Sequence, residues 1–206
     1  MPVAKSHPAL PALYATLSAL APLPPTEAEN LRAAIREEKL AAGGSMSPQT
    51  IGFVITGLLR AFYVDADGKE RTKAFWPEGV LAYSLGATQA HPGASDEDLE
   101  DWTVQAVEPS HVFTLALADL DRLYGGHPCW NHIGRVFWQH AYREKMVRER
   151  EFLLLSATER YRRLAGRDPA LLDRIPQYLV ASYLGITPVA LSRLRGRKVP
   201  AKRPRR

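Results

Sequence analysis

The 206-residue chain has a single cysteine, Cys129. That excludes an internal disulfide and any four-cysteine iron–sulfur cluster held within one chain. No run of about 18 apolar residues occurs, so no membrane span is expected. The opening "MPVAKSHPALPALYATLSALAPLPP" carries one lysine and has prolines inside its apolar part. A short helix is expected there rather than a signal peptide, and the cytoplasm fits these absences best. No Ser-His-Asp order, phosphate-cradling glycine loop or zinc-spaced motif stands out. The chain therefore has no positive mark of an enzyme and is read as non-catalytic.

What is present is ordinary globular composition, 46% apolar and 24% charged, with an unusual distribution of charge. From residue 141 onward there are 17 of the 27 Lys+Arg but only 6 of the 22 Asp+Glu, a balance of +11. Residues 1–140 keep 10 basic and 16 acidic groups, or −6, and the two parts give the overall +5. Such asymmetry suggests a neutral or acidic module joined to one that faces a polyanion.

Along the chain, residues 9–20 and 27–40 read as two helices separated by the breaker "PLPP". From residue 50 the texture turns to β-branched and aromatic residues. "TIGFVITGLLRAFYV" and "KERTKAFW" flank "DADG", whose Asp67-Gly68 is a hairpin signal, and "WTVQAVEPSHVFTL" adds further strands. A small antiparallel sandwich or barrel is expected. Five of the six residues 96–101 are acidic, with Ser95 placed as a cap; this run reads as a solvated loop or helix start. After a short helix in "LADLDRLYG" comes "PCWNHIGRVFWQHAYREKMVREREFLLLSA", about 30 residues broken only by Gly134. Ile133, Phe137, His140, Glu144, Val147, Glu151 and Leu154 recur there at spacings of four and three. A helix pairing with its own copy explains that length, and Ile133, Phe137, His140 and Val147 are the expected interface. Burial of the same helix within one chain is the alternative. Another helix and a turn follow in "ERYRRLAGRDPALLDRI".

The stretch "PQYLVASYLGITPVALSRLRGRK" carries the densest signal. With Gln177 as first position of a helix-turn-helix, Val180, Leu184, Ile186, Leu191 and Leu194 fall on buried positions. Ala181 falls where the helices come closest, and Gly185 at the turn that needs positive φ. Thr187 can cap the second helix and Pro188 occupies its first turn, where a missing N–H is harmless. A hairpin that served only as core would not need Ser192, Arg193 and Arg195 on its exposed face, followed by "GRKVPAKRPRR". A helix in the major groove offers such an arginine to guanine, while flanking cations hold phosphates.

The order helix, β-roll, long helix and terminal helix-turn-helix resembles the Crp/Fnr transcription regulators. The resemblance rests on "FVITGLLRAFYVDADGKERTKAFWPEG", "SATERYRRL" and "RIPQYLVASYLGITPVALSRLR", and covers residues 27–195. It implies an α+β chain: an N-terminal antiparallel β-roll of cyclic-nucleotide-binding type (1–126), a long dimerisation helix (127–155), and a helical helix-turn-helix domain with a basic tail (156–206). It further implies a homodimer on a palindromic double-stranded DNA operator, with RNA polymerase as a further partner. The implied DNA-binding residues are Thr187, Pro188, Val189, Ser192, Arg193, Arg195, Arg197 and Lys198; Ser192 and Arg193 match the Ser-Arg pair common in the family. Val189 stands where many members have glutamate, which removes a contact to cytosine N4 and implies a changed target. Little chain follows Arg195 to form a β-hairpin wing, so the tail is expected to take over its phosphate contacts.

In cAMP-binding relatives a glycine-glutamate loop and an arginine-serine pair receive the ribose and phosphate. The corresponding "PEGVLAYSLGATQAHPGASDEDLEDWTVQ" holds no arginine or lysine, and its acidic run repels an anion. The sensor is therefore expected to be degenerate, with an unknown small-molecule effector or none, and no cofactor is assigned. His127, Cys129 and His132 in "GHPCWNH" could share a face towards a soft metal, but Pro128 at a helix start and the lack of a fourth ligand favour packing. Single-histidine haem ligation has no spacing to test. The rival to a DNA-binding regulator is a ligand- or partner-binding module of this type that does not bind DNA.

Overall fold

A computed structural model describes residues 3–84 and 102–196. Two helices, α1 (Leu10–Ser18) and α2 (Pro25–Ala34), lead into β1 (Arg36–Leu40), β2 (Thr50–Thr56), β3 (Leu59–Val64), β4 (Glu70–Trp76) and β5 (Leu81–Ser84). After residue 101 come β6 (Thr103–Ala106), β7 (Ser110–Ala116), α3 (Leu117–Gly126) and α4 (Cys129–Leu154). The last described elements are α5 (Ala157–Arg167), α6 (Pro169–Arg174), α7 (Gln177–Leu184) and α8 (Pro188–Gly196). It divides into two compact units, Met1–Val147 and Arg148–Arg206. The helix expected as a separate module over 127–155 is α4, and the boundary between the units falls inside it. The acidic run 96–101 and His91 lie outside the described residues.

Among the described residues of the first unit all strand pairings are antiparallel, in one sheet of order β1-β7-β2-β5 and another of order β4-β3-β6. The long β-rich run crosses from one sheet to the other at Gly57, whose φ is +94°. A side chain there would bring its Cβ to 2.7 Å from Pro109 O, so the position is closed to any other residue on two counts. The β3–β4 hairpin closes as its sequence suggests: Gly68 N–H donates to Asp65 O at 2.8 Å, and the Asp65 carboxylate accepts from Asp67 and Lys69 N–H.

Alternation along the strands separates two cores. Val54, Leu59, Ala61, Trp76, Ala82, Val104 and Val112 meet in one cluster, drawn from both sheets. Ile51, Phe53, Phe113 and Leu115 point the other way and are covered by Leu13, Leu17, Leu31, Leu120, Trp130 and Ile133 of the helices. That second core encloses an apolar cavity of about 60 Å³.

One expectation fails here. A second helix is expected to reach residue 40, but α2 stops at Ala34 and Arg36–Leu40 is a strand. Glu37, Glu38 and Lys39 are good helix formers in isolation. The edge of β7 overrides them, pairing Arg36 with Thr114 through to Leu40 with Ser110, while Ile35 turns into extended backbone and is buried.

The second unit is helical. α5 opens with a capping box, in which Ser156 Oγ accepts from Glu159 N–H and the Glu159 carboxylate accepts from Ser156 N–H. Asp168 caps α6 through Leu171 N–H at 2.9 Å.

Candidate nucleic-acid interface

α7 and α8 form the hairpin read from the sequence. Leu179, Val180, Ala181 and Leu184 of α7 and Leu191 of α8 are buried, while Ile186 and Leu194 are half-buried. Gly185 ends α7 in the left-handed region at φ +67°, ψ 34°. Its N–H donates to Ser182 O and that of Ile186 to Ala181 O, each at 3.0 Å, which satisfies two carbonyls the helix end would leave open. Thr187 Oγ1 accepts from Ala190 N–H at 3.2 Å and Pro188 follows as the first helical residue.

Two arginines brace this turn. Arg148 Nη2 donates to Tyr183 O at 2.9 Å and Arg160 Nη2 to Leu184 O at 3.0 Å, while Arg160 Nη1 donates to Leu155 O at 2.7 Å. Phe152 lies against both guanidinium groups, 4.8 Å from that of Arg148 and 4.5 Å from that of Arg160. Burial lowers the pKa of Arg148, with the Tyr183 contacts opposing that shift. A Cβ on Gly185 would lie 2.9 Å from Phe152 Cε1, so glycine answers both the backbone angle and the ring. Nearby, the buried Glu151 carboxylate takes Arg167 at 2.9 Å and Arg163 at 3.3 Å. Gly185→Ala is expected to weaken this unit by about 1–3 kcal/mol, seen as faster hydrogen exchange of the α7 amides with those of β2 and β7 unchanged.

The residues the sequence assigned to a nucleic acid fall together. Thr187, Pro188, Val189, Ser192, Arg193 and Arg195 are all exposed on or beside α8, and Val189 keeps 61% of its surface. Arg193 and Arg195 stand in the last turn, where the helix dipole favours cations. Arg197 and Lys198 lie outside the described residues. What the sequence could not separate was contact from scaffold: Arg148, Arg160, Arg163 and Arg167 all count towards the basic half, yet they hold the unit together.

The expected self-association face needs correcting. Ile133 is only 5% exposed and belongs to the first unit's own core. Phe137 is half-buried, with its ring 5.8 Å from Tyr83. Glu151, on the same seam, is buried against the two arginines. His140 and Val147 are exposed. Tyr142 and Met146 of the first unit, at 62% and 46% exposure, lie half a turn away. The "GHPCWNH" group does not converge on a metal either. His127 Nδ1 accepts from Cys129 N–H at 3.1 Å, His132 Nε2 lies 3.2 Å from Arg135 Nη2, and burial pushes the Cys129 thiol up in pKa.

No family model matches the chain, and no curated protein matches it in sequence. Solved structures do. FixK2 from Bradyrhizobium japonicum superposes with a TM-score of 0.59 at 18% identity, over 79% of this chain and 83% of that one. A putative regulator of the Crp/Fnr family from Eubacterium rectale gives 0.65 at 12% identity, over 84% and 82%. The chain has the Crp/Fnr fold. The c-di-GMP-responsive global regulator CLP of Xanthomonas campestris shares that fold, with a TM-score of 0.63 at 13% identity, over 82% and 88%. Among the described residues, no helix of this Crp/Fnr-fold chain is long and apolar enough to cross a membrane.

Proposed function

We propose that this chain is a sequence-specific DNA-binding transcription regulator of Crp/Fnr type, acting as a cytoplasmic homodimer without enzymatic activity. The observation that carries the reading is the hairpin closed by Gly185, which fixes α8 with Val189, Ser192 and Arg193 outward. A helix of that kind fits the major groove, where an arginine pairs with guanine O6 and N7. Two copies related by a twofold axis would read half-sites about one helical turn apart, so the operator is an inverted repeat. Selection of random duplexes by the purified chain tests this: an enriched inverted repeat is expected, and no enrichment overturns it.

Self-association is assigned to the exposed stripe of α4. Tyr142→Glu with Met146→Glu is expected to give monomer in sedimentation and weaker DNA binding. An unaltered dimer would remove this face from the interface.

The sensor is read as a degenerate pocket. Arg60, a buried cation in the roll, is engaged by Glu70 at 2.5 Å and Gln105 at 3.0 Å, and the cavity of the second core is lined almost wholly by apolar side chains. A cyclic phosphate needs a cation and several N–H donors, and among the described residues Arg60 has only its buried Nη1 left without a hydrogen bond. Calorimetry with micromolar cAMP or cGMP is expected to show no saturable heat; a stoichiometric heat would refute the reading. RNA polymerase is the further partner consistent with it.

A further inference from the structure

We propose that His7, Glu37 and His111 form a binding site for one divalent transition-metal ion of the zinc class. The three residues come from separate segments: His7 precedes α1, Glu37 lies on β1 and His111 on β7. The register pairs Glu37 with Phe113 and Lys39 with His111, which puts Glu37 and His111 diagonally on one face of the sheet. His7 is held over that face by edge contacts of its ring to Phe113 at 4.8 Å and His111 at 5.9 Å.

The donor atoms converge. His111 Nε2 is 2.7 Å from Glu37 Oε1, His7 Nε2 is 3.8 Å from the same oxygen, and one ligand atom of each residue lies within 4.8 Å of the others. Zinc ligands at about 2.0–2.2 Å in a tetrahedron stand roughly 3.3 Å apart, so small side-chain rotations close the set. His111 Nε2 is buried and makes no hydrogen bond among the described residues, although a carboxylate oxygen is 2.7 Å away. A ring nitrogen that close to a carboxylate oxygen without a hydrogen bond between them suits two ligand atoms facing a common third point.

Two imidazoles and one carboxylate select zinc-like ions, with water completing the coordination, over magnesium or calcium, which take oxygen ligands. Two local features oppose binding. Lys39, exposed and opposite His111 in the register, is a neighbouring cation. Ala9 N–H donates to His7 Nδ1 at 3.2 Å. Coordination through Nε2 moves the ring proton to Nδ1 and breaks that bond. Both weaken the site relative to an unopposed ligand set.

The test is calorimetric titration of Zn²⁺ into the full chain without a histidine tag, in a non-chelating buffer at pH 7.5, with Co²⁺ absorption reporting ligand geometry. One ion per chain is expected, with Mg²⁺ giving no heat. His7→Ala, His111→Ala and Glu37→Gln should each weaken binding by about tenfold to a hundredfold or more, since even the outer partners of metal ligands are worth about 10–100-fold. Glu37→Gln preserves size and guards against misfolding of the alanine variants. Substituting His127, Cys129 and His132 together should leave the affinity unchanged. Absence of stoichiometric Zn²⁺ binding, or binding that survives Glu37→Gln and both histidine changes, overturns the proposal.

Discussion

Trp130→Ala is expected to destabilise the first unit by about 3–5 kcal/mol, the range for removing a large buried aromatic side chain. Trp130 is 2% exposed and packs in the cluster of Leu31, Phe113 and Ile133. It also carries a polar obligation: its indole N–H donates to Glu27 Oε2 at 2.7 Å. Removing it leaves the buried Glu27 carboxylate with Asn30 Nδ2 at 3.0 Å and opens a cavity beside it. Trp130→Phe separates these effects, keeping most of the packing but deleting the N–H. That N–H is the main cause holding Glu27 below the usual carboxylate range, with Asn30 a smaller one. A carboxyl whose pKa is depressed by folding adds stability above its unfolded value of about 4.3 and loses it as pH falls through the folded value. The gap between the native chain and Trp130→Phe should therefore be widest at neutral pH and shrink under acid. Urea unfolding at pH 7 and pH 3 checks this, and an equal gap at both would remove the Glu27 bond from the account.

Arg193→Ala is expected to cost about 1–3 kcal/mol against the selected operator, roughly 5–150-fold, and little against scrambled duplex. The side chain is exposed in the last turn of a helix whose orientation is fixed by the Gly185 turn and the Thr187 cap. Arg197, Lys198, Lys202, Arg203, Arg205 and Arg206 belong to a stretch suited by composition to phosphates. Truncation after Gly196 should weaken all DNA alike and flatten the plot of log K against log salt by about 0.9 for each phosphate no longer neutralised. Salt titrations on both duplexes distinguish the two. Equal weakening of both duplexes by Arg193→Ala would assign that arginine to the backbone. Arg160→Ala serves as a contrast, because its guanidinium holds the ends of α4 and α7 and its removal should appear first as instability.

The terminal hairpin was legible because its determinants are local. Gly185, Thr187 and Pro188 each answer a backbone requirement set by residues within one turn, and the hairpin at Gly68 is local in the same way. The capping box of Ser156 and Glu159 is equally local in "SATE". Where the sequence misled, a distant partner decided. Residues 36–40 favour helix until β7 is placed beside them. The four-three spacing in α4 gives a period but not an azimuth. Ile133 and Glu151 satisfy that period while turned towards their own chain, and Tyr142 and Met146 satisfy it half a turn away. The basic half of the chain could not be sorted, because an arginine braced on a carbonyl and one left for solvent are the same letter. His7, Glu37 and His111 share no spacing at all; the register of β1 on β7 brings the last two together, and the packing of the segment before α1 adds the first.

The position of β7 between β1 and β2 has a consequence for how the chain is made. Both of those strands wait for residues 110–116, so the first sheet cannot close while a nascent chain ends before them. Pairing across such sequence separation is slow, because the intervening loop must be ordered before its contacts form. The hairpin of α7 and α8 takes its turn from residues within it and its braces from Arg148, Phe152 and Arg160, all already synthesised when it emerges. Translation therefore delivers the slow half first, with the edges of β1 and β2 open until β7 arrives. Open strand edges of that kind are where a nascent chain is exposed to aggregation.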